Sequence, residues 1–385
     1  MTSEKLLMTK NHIYWIDGIK GLSCLFIFLH HYCLQAFPAS YYGSVKESKL
    51  FGIDSFLSQS PLGIFLNGNF FVFLYIFISG YVITYQIIRK SPADFGIFHL
   101  KRYFKLMLPL LVYCLVFIAI YCFSNDIVNE LLQEKKYNLF TAFKNGIYRI
   151  LFFGDTAYGG NFWMMNYIFL GGLFVSIVAS TIYKFKTNIV LGISIFFSLI
   201  LFINLSFYYC TVFIACSWCI YEKMKNEKSE VQESRFNKYF YIFMFIIAVI
   251  LGAYPTELKA NNFYRFLELP VKSDKSSQLY HLIAAVLLFV SISKLNILRK
   301  FFEVNICLKL ARISYAFYIF HGLVLIMFKP LFTKIYLMND NYLLSAFSYL
   351  VISLLVTITF SSILTNLLFS KASNLINEKI QKWSA

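Results

Sequence analysis

The chain has 385 residues, of which 59% are hydrophobic and only 14% charged, with 44 Phe and 28 Tyr. A water-soluble domain carries close to 25% charged residues and could not hide so many large apolar side chains, so the composition points into a bilayer. The net charge of +16 does not indicate a nucleic-acid partner: Lys and Arg sit in short clusters between apolar runs, as the loop charges of membrane proteins do.

Crossing about 30 Å of hydrocarbon takes about 20 apolar residues in a helix. Ten runs approach that length: 14–35, 62–84, 104–124, 162–183, 187–204, 206–221, 238–255, 278–294, 312–329 and 343–369. The fifth and sixth are separated only by Asn204-Leu205-Ser206 and read as a helical hairpin or as one broken element. With the N-terminus in the cytoplasm, the inner segments collect most of the 35 Lys and Arg, from Lys5, Lys10 and Lys20 through Arg89, Lys90 and Lys101 to Lys371, Lys379 and Lys382. The positive-inside rule then puts both termini in the cytoplasm. The expectation is an all-α polytopic integral membrane protein with about ten transmembrane helices, one domain over 1–385. The first run has no small-residue cleavage site after a short apolar core, so it reads as a retained span. The longest outer loops, 125–160 and 256–277, are too short for a catalytic domain of their own, and no internal repeat is visible.

Ionisable groups at membrane depth are costly and mark sites or pathways. In the first span, Asp17 and Lys20 are three residues apart and share a helix face. His31 follows Lys20 by eleven residues, about three turns, and shares that face about 16 Å further along. Its neighbour His30 points about 100° away. The second span ends Tyr75-Ile76-Phe77-Ile78-Ser79-Gly80-Tyr81, and Arg89-Lys90 follow. The third opens with Phe98-His99-Leu100-Lys101-Arg102-Tyr103-Phe104-Lys105. Arg102 and Lys105 sit at a helix start, where the macrodipole disfavours cations and a phosphate-bearing ligand would be welcome. Taken alone, these cations also fit ordinary loop charge. The fourth span opens Asn161-Phe162-Trp163-Met164-Met165-Asn166, with Trp163 in the position of an interfacial belt residue. The C-x-x-C pair Cys216 and Cys219 lies inside an apolar run with no His pair nearby, so no metal is expected. In the ninth span Ser314, Tyr318 and His321 fall on one face, giving a second imidazole at depth.

These stretches, in this order, resemble the membrane acyltransferase-3 family. Asp17-Gly18-Ile19-Lys20-Gly21 with His31 resembles its first-helix motif, although the family has Arg where Lys20 stands. Ile76 through Tyr81 resembles its Phe-Phe-x-x-Ser-Gly-Phe segment, and Phe98 through Pro109 its basic helix start. Trp163-Met164-Met165 and Gly171 resemble its Trp-Thr-Met…Glu-Phe-x-Gly stretch, with Ile168 at the Glu position. Ile313 through His321 resembles its late Ser-Tyr-x-hydrophobic-Tyr-x-x-His motif. The resemblance implies acyl-CoA, acetyl-CoA first, as donor from the cytoplasm. Lys20, Arg102, Lys105 and Arg89 would hold its phosphates, His31 would act as base, and Asp17 would orient or balance Lys20. Trp163, Asn166, Tyr315, His321 and Ser79 would serve the acceptor side or its support. The acceptor is expected to be a hydroxyl of a cell-surface polysaccharide or its lipid-linked precursor, and the location a bacterial inner membrane. A transporter or flippase for a glycan or lipid-linked sugar, and a non-catalytic membrane scaffold, remain the alternatives from other classes.

Overall fold

The computed structural model describes residues 12–89, 95–123, 137–228, 235–259, 262–270 and 272–384. Lys5, Lys10 and Lys90, used above to set the orientation, and the first part of the 125–160 loop lie outside them. Among the described residues the secondary structure is helical, with no strand. Ten long helices fall on the ten apolar runs: α1 (Tyr14–Ala36), α2 (Gly68–Arg89), α3 (Phe95–Phe123), α4 (Trp163–Tyr183), α5 (Thr187–Ile203), α6 (Phe207–Lys228), α7 (Arg235–Gly252), α8 (Ser273–Lys294), α9 (Asn305–Asn339) and α10 (Tyr342–Leu364). Six of the described helices are long and apolar enough by themselves to cross a membrane, and α5 and the apolar part of α7 are shorter. The fifth and sixth runs are two helices, turned by Leu205 at a positive φ of 53°.

Helix α2 is the hub. It packs against α1, α4, α6 and α8, and most of its residues are buried. Around it, α1 lies along α9, α9 along α10, α5 along α6 and α7 along α8. Without a hydrophobic drive between helices in lipid, close packing and interhelical hydrogen bonds do the work. Small polar residues accordingly line the contacts. On α10 the buried set Ser345, Tyr349, Ser353, Thr357 and Ser361 recurs every four residues. The Ser217 hydroxyl donates to Ser194 across the α5–α6 seam at 2.9 Å. Large apolar side chains such as Phe196, Leu199 and Ile203 on α5, or Tyr239 and Phe243 on α7, are exposed on the outside of the bundle, where lipid covers them.

Three boundaries depart from the sequence reading. Residues 61–66 form a separate 3-10 turn ahead of α2, because Pro61 starts a new element and Asn67 ends it. Helix α10 passes through a π turn (Thr365–Phe369) into α11 (Ser370–Ser384), an amphipathic helix too polar to read as a span. The outer loop is not all loop: Leu139–Lys144, a π turn Asn145–Arg149 and Ile150–Phe153 make a short helix. It lies against the middle of α3, Gly146 resting on the Leu111 backbone.

Candidate active site

The first-helix motif is shaped by contact with α9. A Cβ on Gly21 would lie 2.6 Å from the Ala311 nitrogen and 2.7 Å from the Cys307 carbonyl oxygen, so only glycine allows this crossing. With that edge of α1 against α9, Lys20 enters a cavity of about 620 Å³ at the basic end of the bundle. Lys101, Arg102 and Lys105 of α3 line the same cavity, with Ser79 of α2 and Tyr315 and Tyr318 of α9. None of the residues lining it is acidic. Asp17 stands just outside, 3.1 Å from Lys20 Nζ and 2.5 Å from His12 Nε2. Arg102 donates to the carbonyls of Ile168 at 2.6 Å and Phe169 at 3.2 Å. Both acceptors lie in the π turn Tyr167–Gly171 of α4, and neutral carbonyls fix the guanidinium without cancelling its charge. Gly172 makes room for it. Tyr315 donates to the Leu106 carbonyl at 2.6 Å, in the turn before Pro109, which sits inside α3.

A second cavity, of about 330 Å³, opens towards the other end of the bundle. His31 and Gln35 of α1, Tyr113 and Phe117 of α3, His321 of α9 and the 156–161 segment line it. The His31 and His321 rings lie 5.2 Å apart, centroid to centroid. His321 Nδ1 is 2.6 Å from the Tyr318 carbonyl. A carbonyl only accepts, so Nδ1 carries the proton and the lone pair is on Nε2. That Nε2 is buried and has no hydrogen-bond partner among the described residues. Tyr318 separates the two cavities. It lines the basic one, its hydroxyl donates to the Asn161 carbonyl, and Asn161 donates back to the Tyr318 carbonyl at 3.2 Å. His321 is one helical turn further on, a rise of about 4.5 Å.

The structure thus brings Lys20, Arg102, Lys105, Ser79 and Tyr315 to one cavity and His31 with His321 to another. It does not bring in the remaining candidates. Arg89 lies beyond the last turn that lines the basic cavity, stacked over the Tyr85 ring at 5.0 Å. Trp163 packs on Tyr208 and Tyr167. Asn166 is occupied: it donates to the Leu151 and Phe152 carbonyls and accepts from the Tyr209 hydroxyl, closing the end of the short helix Ile150–Phe153. Asp17 is fourteen residues from His31 on a continuous helix, about 21 Å, so its partner is Lys20 and not the imidazole. His30 turns away from the second cavity. Its Nδ1 meets the Leu66 carbonyl at 2.8 Å and its ring lies over Gly68. The sequence reading assigns no role to Lys101, Asn161 or the polar pair Ser373 and Asn377 on α11, and it places Tyr318 on the face of His321 without giving it one. Lys101 had a signal, since it adjoins Arg102, but the α11 residues had none.

A bundle with six described helices long and apolar enough to cross a membrane, a cationic cavity at one end and an imidazole pair at a cavity towards the other, defines a multi-pass membrane protein. A family model described as an acyltransferase domain matches residues 13–366, and the chain belongs to the acyltransferase-3 family. It is a membrane acyltransferase. No curated protein and no solved structure gives a match.

Proposed function

We propose that the protein transfers an acyl group, acetyl first, from acyl-CoA to a hydroxyl of a cell-surface polysaccharide or its lipid-linked precursor. It would do so in a bacterial inner membrane with both termini in the cytoplasm. The observation that carries the proposal is the pair of cavities divided by Tyr318: cations with no acid on one side, two facing imidazoles on the other. The cationic cavity suits the phosphates of the donor, with Arg102 pre-set by two carbonyl bonds. The second cavity has aromatic and amide side chains, Phe117, Tyr113, Gln35 and Asn161, of the kind that stack on and hydrogen-bond to sugars. At His31 the acceptor oxygen adds to the thioester carbonyl and the C–S bond breaks. His31 takes the hydroxyl proton as the C–O bond forms and returns it to the departing thiolate. His321 lies beside His31, the rings 5.2 Å apart, and its Nε2 lone pair, without a partner among the described residues, is available to the imidazolium.

The test uses membranes with matched levels of wild type, His31→Ala or His321→Ala, labelled acetyl-CoA and total envelope glycans. The expected result is incorporation by wild type and a loss of about a hundredfold or more in His31→Ala. Equal incorporation by wild type and His31→Ala removes His31 from the chemistry. No incorporation above empty membranes rejects the donor–acceptor pair.

A further inference from the structure

Beyond residue 366, where the family match ends, helix α11 continues from α10, lies against α3 and supplies part of the cationic cavity wall. Ser373 and Asn377, one turn apart on α11, both line it. The same two residues, with Lys101, Lys105 and Tyr315, also border a neighbouring slot of about 210 Å³. That slot has an apolar floor that includes Phe104, Pro109 and Phe369, and Arg312 at its side. Neither Ser373 nor Asn377 has a side-chain hydrogen bond among the described residues, although both are partly buried. Lys101, Arg102, Lys105 and Arg312 have no carboxylate partner there either.

We infer that α11 holds the nucleotide end of the donor: the flat base in the apolar slot, its edge and ribose hydroxyls on Asn377 and Ser373, and its phosphates on Lys101, Lys105 and Arg312. This rests on the acyl-CoA reading above and deepens it. Two physical points favour a nucleotide over a bare phosphopantetheine arm. The three cations Lys101, Lys105 and Arg312, none with a carboxylate partner among the described residues, exceed what one phosphate monoester of about −1.5 to −2 can balance, whereas a pyrophosphate plus such a monoester brings roughly −4. A carboxamide beside an apolar slot offers one donor and one acceptor to a heterocycle edge, which a pantetheine chain does not need.

The experiment is calorimetric binding of CoA and of 4′-phosphopantetheine to the full chain in neutral-lipid nanodiscs. Wild type is compared with Ser373→Ala, Asn377→Ala, the double variant and, as a control, Lys379→Ala, which is exposed on α11 and lines neither cavity. Neither Ser373 nor Asn377 makes a side-chain hydrogen bond among the described residues, so the variants are expected to fold. The expected result is a rise in the CoA Kd of about five- to tenfold for each single variant. Phosphopantetheine binding stays within about twofold throughout, and Lys379→Ala stays at the wild-type value. Equal losses for both ligands would show that α11 only shapes the cavity and would overturn the assignment. So would an unchanged CoA Kd, or wild type that binds neither ligand. CoA binding that depends on Asn377, in a protein that transfers no acetyl group, would keep the nucleotide site and reject the transferase reading.

Discussion

Replacing Gly172 with Ala adds one methyl group beside Arg102. Its Cβ would lie 2.5 Å from one guanidinium nitrogen, 2.6 Å from the other and 2.6 Å from Ile83 Cδ1, where ordinary contact begins near 3.4 Å. The guanidinium must therefore retreat by about 1 Å, since the atoms it meets lie at the far end of a long side chain that yields more readily than helix backbone. That retreat stretches the 2.6 Å bond to the Ile168 carbonyl to the edge of hydrogen-bonding range and ends the 3.2 Å bond to Phe169. One charge-assisted bond contributes about 1.5–3 kcal/mol. If that positioning is what Arg102 brings to donor binding, kcat/KM for acetyl-CoA falls by about tenfold to a hundredfold. Stability should fall as well, because the lost bond costs more than the about 1 kcal/mol by which Ala is favoured over Gly in a helix, so the melting temperature drops. The assay is steady-state transfer by purified protein with a thermal melt alongside, in wild type, Gly172→Ala, Arg102→Ala and the double variant. A penalty that disappears in the Arg102→Ala background shows that the methyl group acts through Arg102. A kcat/KM within twofold of wild type, or the same penalty with and without Arg102, refutes the reasoning.

The two adjacent histidines should separate by readout. His30→Ala loses the 2.8 Å bond to the Leu66 carbonyl and the ring over Gly68, so the melting temperature falls while transfer per folded molecule stays within a few-fold; His31→Ala should do the reverse. Gly21→Ala pushes α1 against the Ala311 nitrogen and the Cys307 carbonyl, both backbone, so the helices must part, at a cost of about 1–3 kcal/mol seen as a lower melting temperature in detergent. Arg89→Ala and Trp163→Phe should leave the donor KM within about twofold, because neither side chain lines the cationic cavity; a tenfold rise in either would mean that the cavity extends further than its lining residues show.

Much of the site could be read from the first span. Asp17, Lys20 and His31 are linked by helical spacing alone, and the structure keeps Lys20 and His31 on cavities at opposite ends of one helix. What spacing could not give is which residues are used up in holding the fold. Asn166 and Trp163 looked available, yet Asn166 closes the end of a short helix inside what read as an outer loop. Asn161 and Tyr318, 157 residues apart, bind each other's carbonyls and divide the two cavities, a pairing that no local pattern encodes.

The sequence by itself determined the solvent, the helices and their order. Those depend on apolar length and period, which are properties of a local stretch. It also determined where ionisable groups stand at depth, since charge in an apolar run is visible without a partner. Only the tertiary structure decided which of two neighbouring histidines faces a cavity, that Arg102 rests on carbonyls and not on an acid, and that α11 lines the cationic cavity. Each of these depends on which helix lies against which, and in lipid that choice is made by close packing and interhelical hydrogen bonds between residues far apart in the chain.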